Sequence, residues 1–248
     1  MAERDEQDWL WLPPDDPLLD DPQLERFSAT SLIIDRMKQA MMLSGPQFLG
    51  IQESKAILGW LEHNQPELVQ ELQRIMPLSR FSAVLQRLAG EGVPLRAVRL
   101  IVESLIEYGQ HEREPDALAD YARIALKSQI FHQYSEADGL HAWLLSPQTE
   151  NVLREALRQT QTGVFFALDN DSSASLVNLL NQAFSVRPKS KSVMLVAQDL
   201  RSPLRTLLIE EFSHVPVLSF AELGSASKVK VLGRVDLGQD ELMRGAAA

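Results

Sequence analysis

The chain contains no cysteine. Disulfide staples, thiolate metal sites and cysteine nucleophiles are therefore excluded, and the absence fits a reducing compartment. No run of about 18 apolar residues occurs, so no segment reads as a membrane-spanning helix. The first residues are acidic and lack the short apolar stretch of a signal peptide, and the chain is expected to be soluble. Phosphate-cradling and nucleophile-elbow signatures of the types G-x-x-x-x-G-K-[ST], G-x-G-x-x-G and G-x-S-x-G are missing. The five histidines (His63, His111, His132, His141 and His214) never fall at the i, i+4 spacing that sets two metal ligands on one helix face. His132 and His141 are the pair that folding could bring together, although a satisfied or exposed imidazole is the commoner fate. Positive charge is scarce as well. Lys and Arg total 24 against 34 Asp and Glu, a formal net charge of −10, which disfavours general affinity for nucleic acid or an anionic membrane surface.

What is present is ordinary globular material: 45% hydrophobic and 23% charged residues over 248 positions, enough to bury a core without covalent help. The negative charge is unevenly spread. Residues 1–28 carry nine acids against Arg4 and Arg26, and so hold −7 of the total. Pro13, Pro14, Pro17 and Pro22 break any helix in residues 1–27. This segment reads as an irregular acidic arm with an apolar island at Trp9, Leu10, Trp11 and Leu12. The two tryptophans either pack on the body of the protein or present a contact surface to a partner or neighbouring subunit.

Beyond the arm, periodicity predicts a helix over 28–44, with Leu32, Ile33, Met37, Ala40 and Met41 recurring at helical spacing before Gly45-Pro46. Short helices follow through about residue 110. Asn64 is expected to cap one, with Pro66 in its first turn, and Ser79 another, ending at Gly90 or Gly92. Pro94 opens a longer one, closed by Gly109. From about 114 the pattern becomes mixed. Strands are expected at 140–145, 163–168, 192–197, 215–220 and 228–236, with helices at 148–160, 172–184 and 201–212 between them. Ser192–Phe220 reads as a β-α-β unit, which implies parallel strands and a right-handed crossover. The predicted fold is thus a small all-α subdomain over 51–113, followed by an α/β subdomain over 114–240 with one mixed sheet and a frayed tail at 241–248.

Candidate chemistry is sparse. Asp169-Asn170-Asp171 resembles the start of a calcium loop but lacks its glycine and closing glutamate; Asp171 or Ser172 is expected to cap the next helix. Asp199 follows a strand, where α/β enzymes often hold an acid, and is equally suited to be an N-cap. Arg187, Lys189 and Lys191 form a basic loop, a solvated surface or a docking patch for an acidic partner. Arg96 and Arg99 fall in the first turns of a helix, where cations oppose the dipole. Glu103 lies at i+4 from Arg99 in the weaker orientation, so a carboxylate from another subunit or subdomain is an attractive partner. No catalytic cluster, metal site or cofactor is expected. The competing function classes are a small α/β enzyme using Asp169 and Asp199, and a free-standing cytosolic adaptor.

Phe48-Leu49-Gly50-Ile51-Gln52-Glu53 resembles the F-[LI]-G-[IR]-Q-E signature of the type III secretion export-gate (FlhA/SctV) family. Further segments resemble that family in the same order. They are Pro66–Leu72, Val84–Leu88 with Glu91 and Val93–Arg96, Ile101–Leu105, Ala122-Arg123 with Leu126, Leu200-Arg201, and Val217–Phe220 with Glu222. Ile51, where the flagellar branch has Arg, points to the virulence branch, while Ala97 departs from the family's Asp.

The resemblance implies a non-enzymatic platform at the cytoplasmic face of the bacterial inner membrane, tethered through an N-terminal membrane domain that this sequence does not contain. The sequence is read either as a piece of a longer protein or as a divergent gate. In such a protein, 28–50 would match the end of the first cytoplasmic subdomain and 51–113 the ring-forming helical subdomain. The implied partners are other copies of the chain in a homo-oligomeric ring, described as a nonamer, together with chaperone–substrate complexes, the gatekeeper protein and the stalk of the export ATPase. Arg96, Arg99 and Glu103 are the polar candidates for ring contacts. Asp35, Arg36, Trp9 and Trp11 are the candidates for partner docking.

Overall fold

The computed structural model describes residues 12, 13, 16, 28–160, 163–185, 191–209, 212, 215–225 and 227–237. The chain divides into two units, Met1–Leu43 and Ser44–Ala248. In the first, helix α1 runs Ala29–Ser44, as its periodicity predicts. Ser28 Oγ caps it by accepting the Ser31 N–H at 3.0 Å. Its large apolar side chains Ile33, Ile34, Met37 and Met41 are exposed.

The second unit begins with short helices: α2 (Ile51–Asn64), α3 (Pro66–Ile75), α4 (Leu78–Gly90), α5 (Val98–Tyr108), α6 (Pro115–Ala125) and α7 (Lys127–Tyr134). Strand β1 (Leu140–Leu145), α8 (Pro147–Ala156), the hairpin β2 (Leu157–Thr160) and β3 (Gly163–Phe166), and α9 (Asn170–Ser185) follow. The chain then runs through β4 (Ser192–Val196), α10 (Gln198–Leu208), β5 (Val217–Ser219) and β6 (Val229–Val235). The main sheet has the order β5-β4-β1-β6, all parallel, so the β-α-β reading of Ser192–Phe220 holds. The segment expected as strand 163–168 does not join that sheet. It pairs antiparallel with 157–160 as a separate two-stranded element. The helix predicted over 148–160 accordingly stops at Ala156.

The sheet is the middle layer between two helical groups. Leu140, Ala142 and Leu144 of β1, with Val193 and Leu195 of β4, face the core built by α2–α7. The alternate residues, Trp143 and Leu145 of β1 with Met194 and Val196 of β4, face Leu153 of α8, Leu176 and Leu180 of α9, and Leu200, Leu204 and Leu208 of α10. A strand covered on both sides loses the polar–apolar alternation of a half-exposed one. That is why 193–196 reads as the unbroken run Val-Met-Leu-Val.

Several caps differ from expectation. Pro77, not Ser79, precedes α4, and Gln65, not Asn64, precedes α3. Pro66 at the first position of α3 already fixes φ and removes one orphan donor. Asp169 caps α9 through the Ser172 N–H at 2.8 Å, ahead of the expected Asp171 or Ser172. Leu95–Ala97 is a 3₁₀ turn, so α5 starts at Val98. The end of α4 follows its glycine as predicted. Gly92 takes φ of 69°, the Val93 N–H reaches Leu88 O at 2.9 Å, and the Gly92 N–H reaches Ala89 O at 3.0 Å, which is a Schellman closure.

Candidate functional site

The segment Phe48–Glu53 builds the entry to α2. Glu53 reaches back to accept the Gly50 N–H at 2.9 Å, and Ser54 Oγ donates to Gly50 O at 2.8 Å. A Cβ at Gly50 would stand 2.9 Å from the Glu53 carboxylate, so glycine makes room for this self-capping turn. Gln86 of α4 ties the turn down by donating to Leu49 O at 2.6 Å. Phe48 is left exposed, as are Ile51 and Trp60 on α2. Between α2, α3 and the start of α4 lies an open apolar groove of about 240 Å³, walled by Leu58, Leu72, Met76 and Phe81.

The residues singled out from sequence fall in different places. Arg99 pairs with Glu103 across one turn of α5, Nε to Oε1 at 2.7 Å, on the exposed surface; Glu103 itself is the carboxylate that meets Arg99. Arg96 is exposed in the preceding 3₁₀ turn. Asp35 and Arg36 lie on α1; the Asp35 side chain, Trp9, Trp11, the rest of the arm apart from residues 12, 13 and 16, Arg187, Lys189 and the tail 241–248 lie outside the described residues. Asp169 is occupied as a cap, and Asp199 pairs with Arg154 Nε at 2.7 Å on the surface. Both acids are thus engaged in local surface contacts, one as a helix cap and one in an ion pair. His141 is buried and its Nε2 lies 3.0 Å from Asp138 Oδ2. Glu136 joins these two in a small polar cluster. Its positive charge already comes from Lys230 Nζ, 3.2 Å from Asp138, while Glu136 accepts the Lys191 N–H at 2.8 Å.

The concentrated electrostatics of the protein lie elsewhere, in a buried cluster where the helical body meets the sheet and α10. Glu91, the C-cap of α4, takes Arg123 Nη1 at 2.9 Å, Arg87 Nε at 2.9 Å and Arg201 Nη1. Glu222, in the 3₁₀ turn Phe220–Glu222, binds Arg123 Nη2 at 2.7 Å, and Arg201 also meets Asp120 of α6. Arg201 is fully buried and Arg123, Glu91 and Glu222 nearly so. Although burial opposes it, the guanidiniums of Arg201, Arg123 and Arg87 hold the Glu91 carboxyl down to about 2. Burial pushes Asp120 up to about 6 against the pull of Arg201, and the charge of Glu91 adds to the rise.

Four members of this cluster (Glu91, Arg123, Arg201 and Glu222) are positions on which the family resemblance rests. Their convergence was not read from the sequence, although a signal was there. Glu91 falls at a helix C-terminus and Arg201 in a helix first turn, where the dipole disfavours each charge. Each must therefore be held by an opposite charge brought from elsewhere.

Residues 6–228 match the FHIPEP family. The chain belongs to that family, the export-gate proteins of type III secretion, which are components of the secretion apparatus and not enzymes. It is 60% identical over 239 residues to the hypersensitivity response secretion protein HrpI of Pseudomonas syringae pv. syringae, covering 96% of this chain and 34% of that protein. The chain thus spans about a third of the length of the curated relatives it matches. Among solved structures it resembles nonameric SctV-C of EPEC, with 34% identity and a TM-score of 0.76 over 83% of this chain and 63% of that one. It also resembles CdsV of Chlamydia pneumoniae in complex with CdsO, with 31% identity and a TM-score of 0.77 over 84% and 62%. The virulence-branch reading and the all-α then α/β fold class agree with these likenesses.

Proposed function

We propose that this export-gate segment works as a ring-forming docking platform, at the cytoplasmic face of the inner membrane, that receives chaperone–substrate complexes for export. The observation that carries the reading is the likeness, over 83% of the chain, to a relative solved as a nonamer. In this reading the helices of 51–113 supply the contacts between neighbouring copies, with Arg96, Arg99 and Glu103 on the exposed surface of α5 and its leading turn. The helix over 28–44, with Asp35 and Arg36, and the acidic arm with Trp9 and Trp11 offer surfaces to incoming partners: chaperone–substrate complexes, the gatekeeper protein and the ATPase stalk. The CdsV–CdsO complex supports an additional protein partner for the platform. The domain division itself, with a ring-forming helical subdomain and an α/β subdomain, is part of the proposal.

Charge reversal tests it. Arg96→Glu with Arg99→Glu sets two new carboxylates beside Glu103 along α5 and its leading turn, on the face where a neighbour would otherwise meet an Arg–Glu pair, and like charges across an interface are repulsive. Sedimentation velocity at high protein concentration is expected to show wild-type chain shifting to large assemblies and the double variant remaining small. An identical mass distribution for the two removes these arginines from the interface.

A further inference from the structure

We draw no further inference here: the strongest candidate, the side-chain cluster of Glu136, Asp138 and His141 at the entry to β1, carries no cation site, because Lys230 Nζ already meets Asp138 at 3.2 Å and the Lys191 N–H meets Glu136 at 2.8 Å, while the buried His141 Nδ1 has no acceptor among the described residues to orient the ring toward an ion.

Discussion

Glu91 concentrates the residue-scale logic of this protein. At the C-cap of α4 it faces an unfavourable dipole and is almost fully buried, yet three guanidiniums converge on it. Glu91→Gln would leave Arg123 and Arg201 short of a counter-charge in a dry seam, and breaking a buried ionic pair in this way costs about 3–5 kcal/mol. Urea unfolding at pH 7 is expected to show a loss of that size. The pH dependence has a definite sign. The folded carboxyl sits at about 2, below its ordinary 4.5, so its stabilisation is complete above 4.5 and disappears as pH falls through 2. Wild type is expected to lose stability over that window, and the Gln variant to lack this component; a shared acid slope would contradict it. From sequence, Glu91 and Arg201 were visible only as resemblance positions. Nothing in residue spacing says that side chains 110 positions apart meet, because their pairing comes from the packing of α4 against α6 and of α10 against both.

Among the elements, helical periodicity located α1, α5 and α9 closely, and nearly unbroken apolar runs located the strands β1 and β4, which are covered on both sides. Weakly patterned segments were missed. Strand β2 is Leu-Arg-Gln-Thr, with one apolar residue and three exposed positions, so nothing in it contradicts a continuation of α8. Its strand state comes from the partner β3. Capping was similarly underdetermined: Asp171 and Ser172 were the expected caps of α9, and Asp169 just before them takes the role. The acids at strand ends now separate by role. Asp169→Ala removes a cap from α9 and is expected to lower the urea midpoint. Asp199→Asn disrupts only an exposed pair with Arg154, for which about 0–1 kcal/mol is typical. A large loss for Asp199→Asn would mean that this acid has a buried duty that the geometry does not give it.

At the scale of the whole molecule, the helices continue past residue 114 as α6 and α7, and the sheet that begins at Leu140 shares their core. Side chains of α2–α7 and one face of the sheet form a single apolar cluster, from Leu58 to Leu218. Ile101, fully buried in α5, is expected to cost about 2–5 kcal/mol when cut to Ala. The loss should register equally in helical circular dichroism and in amide exchange of β4, with one cooperative transition. Separate transitions would show that the two parts melt independently. The arrangement of strands has a further consequence for synthesis. β1 is the third strand of the sheet in space, and its neighbour β6 is made some ninety residues later. While a ribosome is still translating the stretch between them, the Leu140–Leu145 edge has no native cover, and a message cut short ahead of Val229 would release a chain with that edge bare and prone to stick to its own kind.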